Sequence, residues 1–137
     1  MAIRDIIFRG KRLDNGEWVE GYFVNLWLIH YQKHQPIITD NNAVSYDVDP
    51  STVGQYTGLC DKNGKKIFEG DIMAFTAYGF DYVGTVEFAD GSFSIMCEHT
   101  SPFLDQAVSK HGAYIIGNMH DNPELLEGLI KRYNNGC

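Results

Sequence analysis

The chain is poor in cysteine, proline, long apolar runs and positive charge, and each shortage removes a class of protein. Three cysteines, Cys60, Cys97 and Cys137, leave an odd number with no Cys-x-x-Cys pair. That argues against a disulfide scaffold and a zinc site, and for free thiols in a reducing cytoplasm. Four prolines stand against 14 glycines, a balance that suits tight turns between short strands. No apolar run is long enough to cross a bilayer and no signal peptide is read, so no membrane association is expected. Eleven Lys and Arg face 18 Asp and Glu, for a net charge of −7. Such acidity disfavours non-specific binding to nucleic acid, which Lys and Arg drive by releasing counterions. The first twelve residues reverse the sign, with Arg4, Arg9, Lys11 and Arg12 against Asp5.

Catalytic signatures are missing as well. There is no Gly-x-Ser-x-Gly, no P-loop and no Gly-x-Gly-x-x-Gly after a strand. No serine or cysteine has a neighbourhood that marks it as activated. His30 and His34 are four apart, a spacing that serves zinc on a helix, but Tyr31 stands where a zincin has its glutamate. The pattern there reads as strand running into loop, so loop histidines are expected rather than metal ligands. His99, His111 and His120 are scattered. The expectation is a protein without enzymatic activity, cofactor or metal.

An apolar fraction of 44% with 13% aromatics describes a globular chain of one compact unit or two small subdomains. Its organising stretch runs from Thr57 to Phe88. Asp61-Lys62-Asn63-Gly64 is a turn in which Asp and Asn bond nearby backbone and Gly64 supplies a positive φ. Gly70-Asp71, between the apolar runs Ile67-Phe68 and Ile72-Phe75, predicts a sharp corner with Asp71 accepting main-chain N–H groups. Glu69 and Asp71 form a close carboxylate pair, read as structural rather than as an acid–base pair.

Around that stretch the chain reads as short strands. Ile3 to Leu13 gives a first strand, Asp14-Asn15-Gly16 a type I′ turn and Trp18 to Leu28 a second strand. From Phe23 to Ile29 the pattern is nearly continuous apolar, which predicts burial on both faces or under a partner. Pro36–Thr39 and Ala43–Val48 are further strands, and Asp49-Pro50 caps a single helical turn. Ala77 to Asp81 reads as an aromatic loop, and Val83–Phe88 with Ser92–Cys97 as the clearest hairpin. His99 to Gly112 holds a short helix, Tyr114–Asn118 a closing strand, and Asn122-Pro123 starts a last helix. That helix places Leu125, Leu126, Leu129 and Ile130 on one face, before a frayed tail from Asn134 to Cys137.

Several of these stretches resemble a known family. Thr57-Gly58-Leu59, Asp61 to Ile67 and Glu69 to Ile72 are similar to the signature of the YopX family. So are Phe8-Arg9-Gly10-Lys11, Val53 to Tyr56, Ile116-Gly117-Asn118 and Asp121 to Leu126. The resemblance spans almost the whole chain. It implies a phage or prophage protein of low-GC Gram-positive bacteria with an SH3-type barrel in its C-terminal part, and it supplies no catalytic residues.

The expected fold is therefore mainly β. Residues 1–52 form an N-terminal β subdomain, 53–122 an SH3-like β-barrel and 123–137 a C-terminal helix and tail. Ile67, Ile72, Val86 and Phe88 are expected in the core, with Trp18, Phe68, Phe75 and Phe93 as further structural aromatics. Tyr78, Phe80 and Tyr82 are the candidate binding surface, and Gly70 and Asp71 the structural corner. The functional expectation is a cytoplasmic, phage-type module that self-associates and binds a host or phage protein. The alternative is a nucleic-acid accessory protein using the basic N-terminal segment and loop aromatics.

Overall fold

A computed structural model describes residues 5–127, and the chain divides into two compact units with the boundary after Gly58. In the first unit the strands are β1 (Phe8–Lys11), β2 (Trp18–Leu28), β3 (Lys33–Thr39), β4 (Ser45–Asp47) and β5 (Gly54–Cys60), which starts there. They lie side by side as β4-β3-β2-β1-β5, each strand antiparallel to its neighbours. Ile38 and Val48 are fully buried, and Gly10 lets β1 settle on them. The Asp-Pro signal is met by a 3-10 turn at Pro50–Thr52, where Asp49 accepts from the Ser51 N–H at 3.0 Å.

Two expectations for this unit are corrected. The Asp14-Asn15-Gly16 turn is not type I′. It is a four-residue loop in which Gly16 takes positive φ and the Arg12 N–H meets the Glu17 carbonyl. The wider loop is favoured because Asn15 accepts from the Glu17 N–H and Arg12 pairs with Asp14 at 2.6 Å. The apolar run from Phe23 to Ile29 is not buried within its unit. Pairing of β2 with β1 ends at Gly21, whereas pairing with β3 continues from Tyr22 to Leu28. The hairpin therefore projects beyond β1, and Val24, Leu26, Trp27 and Ile29 are exposed.

The second unit follows the Asp61–Gly64 turn with β6 (Lys66–Phe68), β7 (Asp71–Ala77), β8 (Phe80–Ala89) and β9 (Ser92–Met96). Then come α1 (Leu104–His111) and β10 (Tyr114–Asn118). Its sheet has the order β10-β7-β8-β9. Alternation along β7 sends Met73, Phe75 and Ala77 into a core shared with Ile67, Val86, Ile95, Leu104, Ala107 and Ala113. The helix ends in a Schellman cap: Gly112 is left-handed, and the Ala113 N–H reaches the Ala107 carbonyl at 3.1 Å.

Of the four residues expected in the core, Ile67, Ile72 and Val86 are buried, but Phe88 is 55% exposed. Phe88 shares the face of Val86, yet β8 has by then run past the core toward its turn. The ring meets its cross-strand neighbour Phe93, edge to face at 5.0 Å. The expected loop from Ala77 to Asp81 is instead a two-residue turn, Tyr78-Gly79, with Phe80 and Asp81 already in β8. Asn122 and Pro123 start a helical turn at Glu124–Glu127. The rest of that predicted helix, including Leu129 and Ile130, and the tail lie outside the described residues. The protein is mostly β, with two antiparallel sheets and a short helix.

Candidate functional site

Two turns of the second unit have the same geometry and different chemistry. Asp90-Gly91 joins β8 to β9 with φ of +53° and +83°, and Tyr78-Gly79 joins β7 to β8 with +53° and +82°. Positive φ at both central positions is the type I′ hairpin turn, for which Asp-Gly is a favoured pair. Tyrosine is not. A non-glycine residue in the left-handed region costs about 1 kcal/mol, least for Asn and Asp, whose side chains bond locally. Tyr78 is also 87% exposed, so the fold gains little burial from its ring. Tyr78 thus combines a disfavoured backbone conformation with an exposed ring.

Beside this turn lies a groove of about 330 Å³. Its floor is Phe75 of β7 and Tyr82 of β8, stacked with ring centres 5.1 Å apart. One wall is Pro102 and Phe103, ahead of α1, and the other is the last turn of α1, with Lys110 and His111. The His111 ring lies parallel to Phe75 at 6.0 Å and meets the Tyr78 ring edge-on at 5.7 Å. The Schellman cap fixes where α1 stops and so places the Lys110 and His111 side chains at the groove.

Of the sequence candidates, the structure brings Tyr78 and Tyr82 together here and leaves Phe80, exposed on β8, outside the lining. Phe103, Lys110 and His111 were missed because nothing local marks them; their shared location depends on α1 crossing the sheet. The corner is separate. Gly70 has φ of +89°, and the Phe68 N–H donates to Asp71 Oδ2 at 2.8 Å, with Asp71 only 2% exposed.

Other candidate chemistry is dispersed. The cations of β1 are spent on aromatic faces, Arg9 over Trp18 at 4.7 Å and Lys11 over the same ring at 5.4 Å. His34 packs on Trp27, with ring centres 4.9 Å apart. Burial pushes the Cys97 thiol up to about 11, so it stays protonated at neutral pH and is a poor nucleophile. Among the described residues no three His, Cys, Asp or Glu side chains are grouped to hold a metal ion, and no helix is long and apolar enough to cross a membrane.

These features define a mostly β protein of two units with an aromatic groove on the second. The chain belongs to the YopX family: the model described as YopX protein matches residues 7–127. It is similar to the crystal structure of protein EF1440 from Enterococcus faecalis, with 27% identity and a TM-score of 0.56. The match covers 89% of this chain and 98% of that one. No curated protein matches the chain.

Proposed function

We propose that the protein is a non-enzymatic interaction module, an accessory protein of phage or prophage type that works in the host cytoplasm. On this reading the second unit, on an SH3-like scaffold, grips an exposed segment of a host or phage protein in the groove. The observation that carries it is Tyr78, held exposed in a turn conformation that tyrosine disfavours, beside an aromatic groove. Lys110 supplies positive charge at that groove, beside the His111 imidazole, on a chain of net charge −7. This supports a partner segment that places an acidic side chain next to an apolar anchor.

The test is the Tyr78→Asn variant. Relief of the backbone should stabilise the fold by about 0.5–1 kcal/mol in a urea titration. A partner captured from host lysate by the wild-type chain should survive nuclease treatment, and its purified form should lose binding to Tyr78→Asn. Equal binding by the variant would remove the groove from the function. Loss of the capture on nuclease treatment would favour the nucleic-acid reading instead.

A further inference from the structure

The projecting half of β2 has an edge whose orientation can be worked out. The Val48 N–H donates to the Pro36 carbonyl at 3.1 Å, so Pro36 turns its main-chain groups toward β4. Its cross-strand partner Asn25 then turns its own N–H and C=O away from β3, because main-chain groups alternate sides along a strand. The other neighbour agrees. Ile7 and Lys11 give their carbonyls to Tyr56 and Asp49, so Phe8 and Gly10 face β2, and their partners Val19 and Gly21 face β1. Stepping on by twos from Gly21, the main-chain groups of Phe23, Asn25 and Trp27 point to the same side, beyond the last β1 pairing at Gly21.

The two outer edges of this hairpin are built differently. On β3 that edge is already covered from Pro36 to Thr39 by Val48 and β4, and the remainder carries Lys33, a charge that discourages strand addition. From Tyr22 to Leu28, β2 has no charge and no proline. Among the described residues no strand pairs with this edge beyond Gly21, and natural sheets seldom leave such an edge open.

We infer that this edge pairs, antiparallel, with the same strand of a second copy about a two-fold axis at Asn25. The sequence is self-complementary in that register. Asn25 faces the partner's Asn25, Val24 the partner's Leu26, Phe23 the partner's Trp27 and Tyr22 the partner's Leu28. Every pair but the first is apolar, two of them include an aromatic ring, and no like charges meet. Within the paired stretch Tyr22, Val24, Leu26 and Trp27 are exposed, apolar side chains that a second copy of the hairpin would partly cover. This interface lies in the first unit and is independent of the groove.

Asn25 is exposed, so its substitution leaves the fold intact. Light scattering at micromolar concentration should give twice the 15.5 kDa chain mass for the wild type. Asn25→Lys and Asn25→Glu each set like charges face to face and should give 15.5 kDa with unchanged circular dichroism. Mixing the two variants should restore the doubled mass. A wild-type monomer, or an Asn25→Lys variant that keeps the doubled mass, overturns the inference. Should either single variant prove unfolded, Asn25→Pro, whose lost N–H points away from β3, is expected to be a folded monomer. A folded dimer of that variant would also overturn it.

Discussion

Replacing Asp61 by alanine is expected to lower stability by about 2–4 kcal/mol in urea unfolding, the largest loss from any single polar side chain described here. The carboxylate is buried at the end of β5. Its Oδ1 accepts from the N–H groups of Asn63 and Lys65 at 2.9 and 3.0 Å, and its Oδ2 from Ile115 at 3.0 Å, a residue 54 positions away. Burial opposes ionisation, but the donors Ile115, Lys65 and Asn63 outweigh it and hold the carboxyl below its ordinary 3.8. The sign follows from that direction. A group with a lowered folded pKa stabilises fully above its unfolded value and loses that contribution as pH falls through the folded one. Wild-type stability should therefore drop as pH goes below about 4, and the difference between wild type and Asp61→Ala should narrow over the same range. A pH-independent difference would show that the ionised carboxylate is not what holds the turn and β10 together.

At the corner, Gly70→Val and Asp71→Leu should each cost about 1–3 kcal/mol, for different reasons. A Cβ at Gly70 has ordinary room, its nearest neighbours being His120 and Met119 at 3.6 Å, so the cost is that of forcing a β-branched residue to φ of +89°. Leucine at 71 fills similar space but leaves the Phe68 N–H buried without its acceptor. The corner also carries main-chain bonds from the Gly70 N–H to the Val86 carbonyl and from the Met119 N–H to the Gly70 carbonyl, at 2.9 and 2.8 Å. Thermal melts decide the matter: unchanged melting of both variants would show the corner to be unstrained and Asp71 replaceable.

What the sequence disclosed was local chemistry. The Asp61 turn, the Gly70-Asp71 corner and the Asp49-Pro50 cap each depend on residues a few positions apart, and each is present. Phe88 was misjudged because period-two alternation gives the face of a side chain but not whether the core still lies beneath it. The run from Phe23 to Ile29 was misjudged for a related reason, since its burial depends on where the neighbouring strand stops. Tyr78-Gly79 passed for a loop because tyrosine is no turn former. The groove stayed hidden because its walls come from residues 75–82 and 100–111, joined only by tertiary packing.

The Asp61 bond to β10 also bears on how long a folded molecule lasts. Strands β7, β8 and β9 follow one another as adjacent hairpins, whereas β10 must return past α1 to the opposite side of β7. Closing that long segment comes late in folding, because chain entropy is lost before the contact forms. The Asp61 turn is ready beforehand and waits for Ile115. Interactions made after the barrier slow unfolding without hastening folding. In stopped-flow mixing, Asp61→Ala should shift the unfolding limb upward and leave the folding limb nearly in place. On that outcome the lifetime of the second unit would be set at the seam between the Asp61 turn and β10.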